Sequence, residues 1–197
     1  MSEYKIVLAS ASPRRRELLS RIGLSFCVRP SRKEERVKAE RPEEIVQELS
    51  GQKAEDIFEQ VSHEEGKHLV IGADTLVAFG GQIMGKPRDE SDACRMLSLL
   101  QGNRHQVYTG VTLIWQRDDQ RTGRLTFCEC TDVDFFPMSE EEIAAYVETK
   151  EPMDKAGAYG IQGRCAAYIS GIRGDYNNVV GLPVGRLYQK MRENGLL

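Results

Sequence analysis

Ser10-Ala11-Ser12-Pro13-Arg14-Arg15-Arg16 carries the strongest chemical signal near the N-terminus. Ser12 is a good N-cap and Pro13 suits the first helical position. Three cations follow at a helix terminus that already bears partial positive charge, where acids normally stabilise. A bound anion resolves the conflict, because free N–H groups and guanidinium forks hold phosphate oxygens together. The other reading is that the side chains splay into water. Arg14 and Arg15 lie nearest the terminus and are the better candidates, with Arg16 expected at the surface.

Two further residues break the pattern around them. Lys53 falls within the Ile45, Leu49, Ile57 stripe of a helix, where it either snorkels or meets a charge in a cleft. Asp74 interrupts the apolar run Leu69-Val70-Ile71-Gly72-Ala73-Asp74-Thr75-Leu76-Val77. An unpaired carboxylate there is costly to bury, so Asp74 belongs at an open strand end, in a hydrogen bond or facing a metal; a structural turn aspartate is the alternative. Gly72 and Ala73 are expected to leave room for a ligand.

Gly80-x4-Gly85-Lys86 resembles the start of a phosphate-binding loop. Pro87 stands where Ser/Thr should bind magnesium and supplies no amide donor, so this loop is rejected, although Lys86 remains a phosphate cation candidate. Gly157-Ala158-Tyr159-Gly160-Ile161-Gln162-Gly163 lacks the dinucleotide spacing, yet its backbone can approach a ligand closely. Gln162 offers an amide donor and an acceptor together, matching the imide edge of uracil or thymine; a loop-stabilising role is equally open.

The elements that must position these residues are legible in outline. Strands are expected at Tyr4–Leu8, Ser25–Val28, His68–Phe79, Gln82–Met84, Gln106–Trp115, Leu125–Phe136 and Cys165–Ser170. Helices are expected from Ser12-Pro13 to about Ile22, from Pro42 to about Val61, over Asp89–Leu100, from Ser139 to about Thr149 and from about Val184 onward. Gly23 is the first helix stop, Gly80-Gly81 reads as a hairpin turn, and Ser139 with Glu142 makes a capping box. Gly51 is an interior weakness of the second helix. Strands mixed with helices indicate an α/β or α+β fold.

Composition narrows the function. The 197 residues are 40% hydrophobic and 29% charged, which excludes a disordered or collagen-like chain. No run approaches a membrane span, and Ile6–Ala9 is too short for a signal-peptide core. Residues 1–41 hold eleven Lys/Arg and five acids, a net +6 on a chain whose total is −3. A positive sector on an acidic protein suits a small, highly charged anion better than nucleic acid. The five cysteines are scattered and read as buried, reduced thiols. His63, His68 and His105 show no zinc spacing and read as structural.

These residues, in this order, resemble the Maf family of nucleotide pyrophosphatases. The matching stretches are Leu8–Arg15, Glu34-Glu35, Lys53-Ala54, Gly72–Thr75, Gly85–Asp89, Asp154–Gly163 and Asn178–Pro183. The Lys155–Gln162 stretch resembles the subgroup acting on dTTP and UTP. The resemblance implies a single Maf domain over residues 1–197. Its fold would be mixed α/β, like that of inosine triphosphatases, with two lobes around a central cleft and a mixed twisted sheet. It implies hydrolysis of a nucleoside triphosphate between the α and β phosphates, assisted by Mg²⁺ or Mn²⁺, in a house-cleaning role. Asp74 would be the proton acceptor, and Arg14, Thr75 and Gln162 would tune base choice. Ser10, Ser12, Arg15, Lys53 and Lys86 would bind phosphate, while Glu35 and Asp74 would hold metal, as oxygen donors suit those ions. A small-molecule nucleotide partner, no nucleic acid or membrane, a homodimer and a cytoplasmic location are implied as well. The alternatives are a pyrophosphatase for another non-canonical nucleotide and a nucleotide-binding regulator of cell division or septum formation.

Overall fold

The structure is a computed structural model that describes residues 4–117 and 121–197. Its elements run β1 (Tyr4–Leu8), α1 (Pro13–Arg21), β2 (Phe26–Val28), α2 (Pro42–Val61), β3 (Lys67–Phe79), β4 (Gln82–Met84) and α3 (Glu90–Leu100). They continue with β5 (Arg104–Gln116), β6 (Thr122–Phe135), α4 (Glu140–Glu148), β7 (Ile169–Arg173), α5 (Tyr176–Val180) and α6 (Val184–Glu193). Strand order is β2-β1-β3-β5-β6-β7, with β4 beside β3. β1 pairs in parallel with β2 and β3, whereas β3–β4 and β6–β7 are antiparallel, so the sheet is mixed as expected. The chain divides into two compact units, the first holding residues 1–74, 109–129 and 181–197, the second holding 75–108 and 130–180.

In the first unit α2 comes down onto strand backbone at two glycines. A Cβ on Gly72 would lie 2.2 Å from the Ser50 carbonyl oxygen, and one on Gly110 would lie 2.2 Å from that of Val46. The space beside Gly72 is therefore filled by the helix and is not left for a ligand. The buried residues of α2 are Val46, Leu49, Ser50, Gly51, Ala54, Ile57 and Val61. This stripe is rotated from the expected Ile45–Leu49–Ile57 line, which places Lys53 at its edge. A Cβ on Gly51 would meet the tip of the Arg124 side chain at 2.8 Å. Val7, Ala9, Ala54, Ile57, Val61, Val70 and Ile114 form the adjoining core.

The second unit has its own core, in which Ala93, Met96, Leu97 and Leu100 of α3 pack as the helical spacing predicts. Gly80 and Gly81 both have positive φ, 56° and 77°, and turn β3 into β4. The Ser139–Glu142 capping box forms. The expected Cys165–Ser170 strand is shifted. A 3-10 turn occupies Arg164–Tyr168, with the Ala166 N–H donating to the Gly163 carbonyl, and β7 starts only at Ile169. β6 begins earlier than expected, at Thr122, and the Trp115 ring lies 2.1 Å from where a Cβ on Gly123 would sit. The polar loop expected between β5 and β6 includes residues 118–120, which lie outside the described residues.

Among the described residues no helix is long and apolar enough to cross a membrane. All five cysteines are free thiols, but Cys27 and Cys130 are exposed, against the expectation of burial. Cys27 sits on β2, at the edge where the sheet order begins. Cys165 is buried, and that burial pushes its thiol up to about 12. His68 and His105 are buried, whereas His63 is exposed.

Candidate active site

In the first unit, the β1–β3 register creates the site's frame. Leu8 pairs with Ile71, and the Ala9 N–H donates to the Ile71 carbonyl at 2.8 Å. Carried two residues further, that register brings the Ser10–Ser12 turn out of the sheet beside Gly72–Asp74. Ligands favour such carboxyl ends of parallel strands.

Ser12 caps α1, its hydroxyl accepting the Arg15 N–H, and no acid lies in the first turn. Ser10 is buried; its Oγ accepts the Ser12 N–H at 3.3 Å and the Arg15 NH1 at 3.1 Å. Arg15 also donates Nε to the Gly181 carbonyl at 2.8 Å. Both hydroxyls thus organise the turn, and Arg15 is half-buried with its fork fixed. Burial pulls the Arg15 guanidinium down from the usual arginine range, Asp74 pushes the other way, and neighbouring Arg14 lowers it further while Glu35 opposes. Arg15 therefore lies in the field of both carboxylates. Arg14 is half-buried, and Arg16 is exposed, as expected of it.

Lys53 reaches from α2 to hydrogen-bond the Asp74 carboxylate through Oδ1. Its Nζ also lies 3.0 Å from Glu35 Oε1. Lys53 and Asp74 side chains are each 17% exposed, so this ammonium meets a charge instead of snorkelling into water. Glu35 rides on the irregular segment 29–41, which α2 holds along one face. Ser31 donates to Asp56 at 2.6 Å, the Arg36 N–H donates to Gln52 Oε1 at 3.0 Å, and the Lys38 and Ala39 N–H groups donate to Glu48 Oε2 at 3.0 and 3.1 Å. Glu48, Gln52 and Asp56 are four residues apart and so share a helical face. Sequence reasoning missed this ladder, although its i, i+4 polar spacing was there to read.

Two carboxylates facing one ammonium form an oxygen-donor pair already organised around positive charge. Mg²⁺ is usually held by one or two carboxylates, with water and phosphate oxygens completing its shell, so Glu35 and Asp74 fit such an ion. Among the described residues no group of three His, Cys, Asp or Glu could form an all-protein cage.

Thr75, Lys86 and Gln162 belong to the second unit. Thr75 is half-buried on β3, and Lys86 is exposed in the loop after β4. The Gly157 N–H donates to the Gly85 carbonyl at 3.1 Å, tying the Lys86 loop to the glycine-rich segment. A Cβ on Gly157 would meet Val77 Cγ2 at 2.7 Å, so glycine is required there on spatial grounds as well as for its φ of 67°. Ala158 shares the left-handed region at φ 58°, a strained conformation held by burial. Gln162 is exposed, and among the described residues its amide has no hydrogen-bond partner. Asn178 donates to the Val107 carbonyl and to Thr131 Oγ1, both at 3.0 Å, a structural anchor that the sequence motif left without a role.

Comparison with known proteins extends these observations. The family model described as Maf-like protein matches residues 5–194. A protein named dTTP/UTP pyrophosphatase from Agathobacter rectalis is 54% identical over 98% of each chain. Proteins of the same name from Lachnoclostridium phytofermentans and Carboxydothermus hydrogenoformans are 50% and 48% identical, covering 98% and 97% of this chain and 96% and 99% of their own.

Proposed function

The chain belongs to the Maf family, and we propose that it is a nucleoside triphosphate pyrophosphatase that converts dTTP and UTP to the monophosphate and pyrophosphate. The observation that carries this reading is the Lys53 ammonium bonded to Asp74 and Glu35 in the field of Arg15.

Phosphoryl chemistry depends on positioning and on cations that offset developing charge. Arg15, locked by Ser10 and the Gly181 carbonyl, is preorganised to hold phosphate oxygens beside the α1 N-terminus. Arg14, Ser10 and Ser12 shape the same turn. Lys53 engages Asp74 Oδ1, so Oδ2 is the atom that takes the proton of the attacking water. The water oxygen adds to phosphorus, the anhydride bond between the α and β phosphates breaks, and pyrophosphate leaves with the bonding pair. Lys53 and Lys86 neutralise phosphate charge. Glu35 and Asp74 are the residues that would hold a divalent ion, which when bound would supply charge neutralisation on the phosphates. Gln162 and Thr75 act on base choice, with Arg14. House-cleaning of excess or non-standard pyrimidine nucleotides is the role this chemistry serves.

The test is a panel of nucleoside triphosphates with magnesium, scored for monophosphate and pyrophosphate. dTTP and UTP are expected to lead the panel. Asp74→Asn should lower turnover by about 10²–10⁴-fold with the fold intact. Full turnover by that variant would remove Asp74 from its role, and binding without any turnover by the unaltered protein would favour a nucleotide-sensing regulator.

A further inference from the structure

Resting on the reading that Gln162 recognises the base, we infer that Glu151 is a positioning residue that sets base choice by fixing both ends of the turn that carries Gln162.

Gln162 is the third residue of a tight turn, closed by the Gly163 N–H donating to the Gly160 carbonyl at 3.2 Å. Its own amide is untethered among the described residues, so the backbone of that turn sets the position from which the side chain reaches. Both ends of the turn lead to Glu151. At the leading end, the Gly160 N–H donates to the Tyr146 hydroxyl at 3.2 Å, and that hydroxyl donates to Glu151 Oε1 at 2.9 Å. At the trailing end, the Arg164 N–H donates to Glu151 Oε2 at 3.1 Å. The carboxylate fills the space over the turn: a Cβ on Gly163 would lie 1.9 Å from Oε1 and 2.3 Å from Cδ. A Cβ at position 163 would therefore have to displace the Glu151 carboxylate.

Glu151 is itself held. Its N–H donates to Thr149 Oγ1 at 3.2 Å, and its carbonyl accepts from Lys155 Nζ at 2.5 Å. Burial holds the Tyr146 phenol far above the usual tyrosine range, with Cys165 and Glu151 adding to the shift, so the hydroxyl keeps the proton that it donates. Two acceptor oxygens are needed, one for each end. A glutamine at 151 retains one acceptor and offers a donor to the other side; an alanine removes both.

The experiment compares kcat/KM for UTP with that for CTP, which differ at the imide edge. It uses the unaltered protein, Glu151→Ala, Glu151→Gln, Tyr146→Phe, Gln162→Ala and the Glu151→Ala/Gln162→Ala double variant. Gln162→Ala should lower the UTP/CTP ratio by about tenfold, the loss of roughly one well-placed hydrogen bond. Glu151→Ala should lower the ratio by about three- to tenfold, with Glu151→Gln intermediate. In the Gln162→Ala background, removing Glu151 should leave the ratio where it stands. A merely structural role would lower both substrates together and leave the ratio unmoved. An unchanged ratio in Glu151→Ala overturns the inference, as does an equal drop with and without Gln162. If Glu151→Ala fails to fold, Tyr146→Phe, which cuts only the link to Gly160, carries the same expectation and the same refutation. Absence of triphosphate turnover in the unaltered protein refutes the proposed function instead, and an unmoved ratio in Gln162→Ala refutes the base-reading role and this inference with it.

Discussion

Gly72→Ala probes how the fold delivers Lys53 to Asp74. The added methyl would sit 2.2 Å from the Ser50 carbonyl oxygen and 2.9 Å from both the amide nitrogen and the Cβ of Ala54. Ordinary contact requires a retreat of about 1 Å. The groups struck are helix backbone and a short side chain, which have no rotamer by which to escape, so α2 itself must move. Overpacking of this kind costs about 1–3 kcal/mol, and the backbone clash places Gly72→Ala at the upper end. In a chain of this size that lowers Tm by roughly 6–12 °C. Lys53 precedes Ala54, so the same displacement pulls Nζ from the Asp74 carboxylate. A misplacement of about 1 Å costs on the order of 10²-fold in turnover. The assay pairs a thermal melt with pyrophosphate release measured well below Tm, which separates misplacement from unfolding. Gly171→Ala is the control: nothing lies within 4 Å of its Cβ, so its stability should stay within about 0.5 kcal/mol of the original. A Gly72→Ala protein with unaltered Tm and turnover would refute the claim that backbone-to-backbone packing of α2 builds the site.

Loss of the ladder under Glu35 should be felt at the proposed metal site. Gln52→Ala removes both bonds to the Arg36 backbone and should raise the magnesium concentration for half-maximal turnover by about three- to tenfold; an unchanged requirement would detach Glu35 from metal binding. Acid should unfold the second unit's core through His105. That side chain is fully buried against Phe135 and Tyr159, shares a 2.8 Å hydrogen bond with the Tyr159 hydroxyl, and has a pKa lowered by burial to about 4, with Asp134 and Asp132 opposing. The unfolded chain takes the proton first, near 6.5, so stability is complete above that pH and falls as pH drops towards 4, by up to about 3 kcal/mol. His105→Gln should flatten the dependence of the urea midpoint on pH across this window, and an unaltered slope would acquit His105.

The local signals were legible because each involves residues a few positions apart. Ser12 and Pro13 start α1, Gly23 ends it, Gly80-Gly81 turns a hairpin, and Ser139 caps α4 with Glu142, whatever the rest of the chain does. The conflict between three arginines and a helix N-terminus, and the cost of Asp74 in an apolar strand, also followed from residue types alone. The likeness of the motifs to one family carried the chemistry further than spacing could. Only the tertiary structure decided that Lys53 meets both Asp74 and Glu35, because that contact depends on a helix lying on two strand glycines, Gly72 and Gly110, from distant parts of the chain. It likewise decided that the segment bearing Glu35 is strung along Glu48, Gln52 and Asp56, and that Glu151 holds the Gln162 turn. Local periodicity can place such residues on one face but does not name their partners, since register and close packing are chosen by the sum of contacts over the whole sheet rather than by any one stretch of sequence.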